Sequence, residues 1–210
     1  MKIENTYTFA YSVKGTTKKL INEMSSILPN VEYNDLTRKA QERETNSQDL
    51  VVVGAPVYSG RIPKQLAERL RSLKGNNTPA VAVVVYGNRA YDDALLELKD
   101  TLTKQGFKVI AGLVYVAEHS LSRSVATGRP DENDLAIALS YTKQILEKLD
   151  SIKTPDDILP LEVPGNFPYV KVNSSPKAET AEDLNPLSQK LADMFLSKVF
   201  KGVKQPEIYI

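Results

Sequence analysis

The sequence predicts an open, parallel α/β sheet with helices on both faces, and two features of its 210 residues predict it. Apolar, strand-like runs alternate with helix-length segments of helical period, the pattern that right-handed βαβ units produce. The two central runs, LVVVGA at Leu50 to Ala55 and AVAVVVY at Ala80 to Tyr86, are apolar at nearly every position. Parallel strands covered on both faces read this way, without polar alternation.

In chain order, strands are expected at Tyr7 to Tyr11, near Val31 to Tyr33, at Leu50 to Ala55, at Ala80 to Tyr86 and at Val109 to Ala117, which makes a five-stranded sheet. Between them the spacing predicts helices over Thr16 to Leu28, Lys64 to Leu73, Tyr91 to Gln105 and Glu132 to Leu149. Leu95, Leu98, Leu102 and Gln105 mark the helical period of the third. Asp131 with Asp134 three residues later marks the start of the fourth, as an N-cap with an acidic third position. Ligands of such sheets bind outside the carboxyl ends of the strands. A site is therefore expected in the loops Ser12 to Thr17, Pro56 to Pro63, Gly87 to Tyr91 and Glu118 to Pro130.

Composition removes many chemistries. The chain has no cysteine, so disulfides, thiolate metal sites, iron–sulfur clusters and a cysteine nucleophile are excluded. His119 is the only histidine, which argues against a zinc site or a serine triad. Its 27 basic and 26 acidic residues nearly cancel, so no overall field points to nucleic acid or to an anionic membrane. No signal-like apolar core opens the chain, and no run approaches the roughly 20 apolar residues of a membrane helix. A cytoplasmic protein is the expectation.

The first loop, YSVKGTT, brings Ser12, Thr16, Thr17 and unpaired backbone N–H groups to the start of a helix whose dipole favours an anion there. Lys14, Lys18 and Lys19 sharpen this, because cations at a helix N-terminus cost about 0.3–1 kcal/mol each unless an anion is near. The plainer reading is a capped helix with solvated lysines. GxxxxGK[ST] does not fit, since the order here is Lys14-Gly15, and no GxGxxG follows a strand. The second loop presents Tyr58 between Pro56 and Gly60, and the third presents Tyr91 after Gly87 and Asn88. Two such rings at neighbouring strand ends can sandwich a flat heterocycle, while the glycines permit close approach of backbone to its edge. Together the loops describe a site for a mononucleotide with a large ring.

On these residues the chain resembles the flavodoxins. The phosphate loop followed by a helix, PVYSG after the third strand and YGNRAYD after the fourth look like the three FMN loops of that family. The stretches TPAVAVVVYGNRAYDDALLELKDTLTKQGFKVIAG and AEHSLSRSVATGRPDENDL resemble more closely the flavodoxin halves of bacterial proteins that carry a ferredoxin segment behind the flavodoxin. The resemblance covers about residues 7 to 170 and implies strand order 2-1-3-4-5, FMN as cofactor, and electron transfer with a redox partner protein such as a reductase or ferredoxin. Carried over, it places Ser12, Lys14, Gly15, Thr16 and Thr17 on the phosphate. Pro56, Val57, Tyr58, Ser59 and Gly60, with Tyr86, Gly87, Asn88, Arg89 and Tyr91, fall around the ring, while His119, placed by its position after the fifth strand, is expected near the ring or the phosphate. Lys14 stands where a threonine is usual, which implies that it neutralises the phosphate directly. The ferredoxin cysteines are missing altogether. Two further readings stay open: an NAD(P)H-dependent FMN reductase or quinone-type oxidoreductase, and a flavin-free binding module.

Residues 1–170 therefore form the expected FMN-binding domain, and 171–210 an extension. Within it, Ser174 to Asp183 has the proline, serine and charge of a linker or surface arm. Asn185 as cap, Pro186 at the first helical position and the stripe Leu187, Leu191, Met194, Phe195 and Val199 describe an amphipathic helix. The stripe is expected to dock on the domain, with a homodimer contact or a partner groove as the sharper alternative. Arg89 and Arg129 are candidate anion binders or, more plainly, partners of Asp92, Asp93 and Asp131.

Overall fold

The computed structural model describes residues 1–172 and 183–210. In chain order the elements are β1 (Asn5–Ala10), α1 (Thr16–Ser25), β2 (Val31–Asp35), β3 (Arg43–Thr45), β4 (Asp49–Pro56), α2 (Lys64–Arg69), β5 (Leu73–Gly75), β6 (Thr78–Tyr86), α3 (Ala94–Lys104), β7 (Phe107–Val116), α4 (Glu132–Ser151), α5 (Pro186–Val199) and β8 (Glu207–Tyr209). The main sheet runs β2-β1-β4-β6-β7-β8, and β3 pairs only with β5 in a small separate sheet. From β2 to β7 every pairing is parallel, in the expected order 2-1-3-4-5. The sixth strand is an addition: β8 lies antiparallel on β7, from Gly112 to Val114.

The continuous apolar runs have the expected cause. Along β4, Val51, Val53 and Ala55 point into a core shared with α2 and α3, whereas Leu50 and Val52 point into one shared with α1 and α4. In β6 the same division separates Ala80, Ala82 and Val84 from Val81, Val83 and Val85. Successive side chains leave a strand on opposite faces, so a strand covered twice is apolar along its middle, with polar Asp49 and Thr78 only at the strand starts. A skip in the register leaves Ile110 of β7 opposite no residue of β6. Its consequence is a change of parity: Phe107 and Val109 share a core with Val114 and Val116, while Ile110, Leu113 and Tyr115 face the other way.

Several ends differ from the sequence expectation for local reasons. α2 closes at Arg69 and continues as one 3-10 turn over Leu70–Ser72, because Leu73 is drawn into extended backbone opposite Arg43. α3 begins at Ala94 and not at Tyr91, since Asp92 takes a left-handed φ of 42°. The start of α4 carries the expected capping box between Asp131 and Asp134. Buried Asp134 also accepts from the Arg129 guanidinium, which settles the plainer role for that arginine.

The extension corrects one expectation. Asn185 caps α5, its Oδ1 accepting from Ser188 N at 2.9 Å, yet the apolar stripe does not dock. Leu187 is 68% exposed and Phe195 65%, with Leu191, Met194 and Val199 also open to solvent. The opposite face meets the domain: Asp193 accepts from Ser122 Oγ at 2.7 Å and from Arg123 N at 3.0 Å, beside half-buried Leu196 and Phe200. Residues 174–182 of the expected linker lie outside the described residues.

The packing of α1 on β4 rests on Gly54, where an added Cβ would lie 2.7 Å from Ile21 Cγ1 and 2.8 Å from Thr17 Cγ2. Gly54→Ala is therefore expected to cost about 1–3 kcal/mol of stability, read as a lower urea midpoint at unchanged slope.

Candidate functional site

At the end of β1 the chain turns over Ser12 to Gly15 into α1. Tyr11 N donates to Gly54 O and Ser12 N to Thr37 Oγ1, which pins the turn to β4 and to the loop after β2. Ser12 Oγ accepts from Lys18 N at 3.1 Å, so this hydroxyl closes the turn and serves the first turn of α1. Gly15, at φ 85°, is the N-cap and offers no side chain. Among the described residues, the amides of Val13, Lys14, Gly15, Thr16 and Thr17 meet no acceptor. Successive N–H groups of this kind at a helix start form an anion-binding concavity.

The lysines that were expected to face an anion are engaged. Lys14 Nζ lies 3.1 Å from Glu118 Oε1, and the other carboxylate oxygen accepts from Gly128 N. Lys19 Nζ donates to Pro130 O at 2.7 Å. The attraction on an incoming anion therefore comes chiefly from amides and the helix dipole, with Lys14 already half neutralised.

From this turn a cleft runs between the loops after β4 and β6. Ser12, Lys14, Thr16 and Thr17 line one end; Pro56, Val57, Tyr58, Tyr86 and Gly87 line the other, with Val85, Ala117, Glu118 and Ser120. The cleft encloses about 40 Å³. Val57 N donates to Val85 O, and the Tyr58 and Arg61 backbones exchange hydrogen bonds around Ser59 and Gly60, both at positive φ. Gly87 must lack a side chain, because a Cβ there would lie 2.8 Å from His119 Cδ2.

The remaining predicted residues lie apart from the cleft lining. Gly15 sits on the adjoining surface with Lys19 and Arg129. Ser59 is exposed, and Gly60 is packed under Asp92. Arg89 is exposed and paired with Asp92. Tyr91 turns its ring edge to Tyr86, centroids 5.6 Å apart, and its hydroxyl to Glu207 and Tyr209 of β8. Burial, then those bonds, raise the Tyr91 phenol far above its ordinary range. Burial, then Glu207 and Tyr209, push Tyr86 up to about 12.

The segment after α5 meets the same loop. Asn88 is buried; its Nδ2 donates to Gly202 O and its Oδ1 accepts from Lys204 N at 2.9 Å. Lys204 Nζ donates to Arg89 O at 2.8 Å. Phe200 stacks on His119 at 6.1 Å between centroids, and His119 Nδ1 accepts from Leu121 N, which assigns the neutral ring's proton to Nε2. Glu118, which the sequence reading passed over, was legible by the rule that found His119: it is the first polar residue after the apolar run of β7.

Both the strand order and the loop order now point one way, and a family model for the flavodoxin domain matches residues 9–119, more than half of the chain. The chain belongs to the flavodoxin domain family. No curated protein matches it. Among solved structures, the FMN-bound flavodoxin of Fusobacterium nucleatum superposes on this flavodoxin domain with a TM-score of 0.51 at 13% identity, over 70% of this chain and 99% of that one. The Flv1 flavodiiron core of Synechocystis sp. PCC6803 gives 0.51 at 12% identity, over 72% of this chain and 37% of that one. Rubredoxin oxygen:oxidoreductase of Desulfovibrio gigas gives 0.50 at 16%, over 71% and 37%. At such identities the likeness concerns the fold.

Burial first, then Lys14, hold the His119 pKa below its ordinary value. Below about pH 6.5 the unfolded chain takes up a proton that folded His119 refuses, so stability must decline as pH falls through that value. Urea midpoints measured from pH 7.5 to 5.5 are expected to fall less steeply in His119→Asn, which keeps an acceptor for Leu121 N.

Proposed function

We propose that this flavodoxin-domain protein binds FMN and transfers electrons to or from a separate redox partner protein. The observation that carries the reading is the run of acceptor-less amides from Val13 to Thr17 at the start of α1. Such a run suits a phosphate monoester, and it opens into a cleft whose far walls are Tyr58 and Tyr86. In this reading Thr16 and Thr17 add hydroxyls to the phosphate, while Val57, Tyr58 and Gly87 hold the ring. The flavin would supply the redox chemistry, and the protein its binding and electrostatics.

The chain's own residues fit a carrier better than a reductase. His119, the residue best suited to move a proton, is covered by Phe200 and accepts from Leu121 N. Glu118 is held by Lys14 and Gly128 N. His119 does not line the cleft, and Glu118, which does, has both carboxylate oxygens engaged, so neither is offered as a free acid–base group for a second substrate. These 210 residues hold no cysteine to ligate an iron–sulfur cluster, so in this reading such a centre would belong to the partner.

Titration with FMN, followed by quenching of flavin fluorescence and by the visible spectrum, tests this. A discrete endpoint is expected, with riboflavin bound at least tenfold more weakly, since charge-assisted bonds to the phosphate are worth about 1.5–3 kcal/mol each. A titration without quenching, in the wild type and in Phe200→Ala/Lys204→Ala alike, overturns the reading and leaves the flavin-free module. Glu118→Gln removes a carboxylate from the phosphate end and is expected to tighten FMN binding by about fivefold at low salt, an effect that fades as salt is raised.

A further inference from the structure

The loop after β6, which the FMN reading needs at the ring, is already engaged by the protein's own C-terminal segment. Both hydrogen-bonding ends of the Asn88 amide are spent on Gly202 and Lys204. His119, at the neighbouring strand end, carries the Phe200 ring on its face. Tyr91, the residue expected to stack on a flavin, is instead bound through its hydroxyl to Glu207. The cleft beside this loop, about 40 Å³, compares with roughly 300 Å³ or more for pockets that take a ligand of this size, so the ring needs the loop after β6 to move.

We infer that the segment Phe200–Tyr209 is a displaceable strap that competes with the flavin ring for the loop after β6. This deepens the FMN reading and rests on it. The attachment has the character of a reversible contact. From Phe200 to Lys204 it consists of a few polar bonds and one stacked pair, with residues 201–205 exposed, and the firmer anchor is the short β8 beyond it, where Pro206 is buried and Ile208 and Tyr209 pack on the two cores. Segments held so lightly open at a small fraction of the global unfolding free energy. Closure lowers the apparent affinity for FMN by the fraction of molecules that are open, and by reciprocity FMN must loosen the strap. Phosphate binding at Val13 to Thr17 is untouched by the strap, so the flavin can arrive phosphate first and exchange its ring for the segment.

The test is FMN titration of the full chain beside Phe200→Ala/Lys204→Ala, together with hydrogen exchange of the Lys204 and β8 amides in the wild type with and without FMN. The double variant is expected to bind FMN about tenfold more tightly, the worth of roughly one hydrogen bond, and saturation with FMN should speed exchange at Lys204 and in β8. FMN binding by the variant but not by the wild type would also support the strap. Equal affinities, or unchanged protection at Lys204 and β8 on saturation, overturn the strap and leave the FMN reading standing. No binding by either protein overturns the FMN reading, and the strap's role falls with it. Should the double variant fail to fold, Glu207→Gln loosens the segment at Tyr91 by a smaller change, and the wild-type exchange measurement decides in any case.

Discussion

The burial of β4 and β6 on both faces is the constraint from which the rest of this structure follows. A strand with helices above and below it has no side-chain position left for chemistry, so every polar function must sit in the loops beyond its carboxyl end. The same burial fixes α1 against β4 through the Gly54 contact, and with it the direction in which the start of α1 points. The turn before α1 is thus held by packing in the core, and only secondarily by its own hydrogen bonds.

The cations at this site are already engaged within the chain. Lys14 and Lys19 stand at the mouth of the helix, yet a carboxylate and a carbonyl take them up. Arg129, which a reading by charge alone would place on an anion, is spent on Asp134 at the start of α4. The attraction that remains comes from backbone amides, whose positions are set by the fold and whose charge does not vary with pH. A site built this way selects by geometry, and its binding should depend less on salt than one built from free cations.

Much of this architecture can be read from the amino acids, and the parts that cannot share a cause. The central strands β4 and β6 announce themselves because double burial leaves an unbroken valine-rich signature, and the caps at Asp131 and Asn185 are legible because capping is local chemistry. Ser12, Thr17, Tyr58 and Gly87 fall in one cleft because strand ends define where loops go. By contrast β8 is three residues long and pairs with the edge of β7, which would otherwise be open. Tyr91 and Asn88 carry the right residue types at the right loop, but their partners lie more than a hundred positions away. No local pattern encodes such a pairing. The outward apolar stripe of α5 is the plainest case, since periodicity identifies an amphipathic helix without saying which of its faces finds a partner.

The reversed docking of α5 also sets a clock. A helix seated on its apolar face would leave the domain only by exposing that face to water, and would tend to open with the fold as a whole. Here the face is already in water, so detachment adds little to the exposed apolar surface and breaks mainly the contacts of Asp193, Gln189 and Phe200. Departure of the arm belongs with loop and domain motions, on the microsecond to millisecond scale, and not with unfolding. Such an arm can leave and return many times within the lifetime of a single folded molecule.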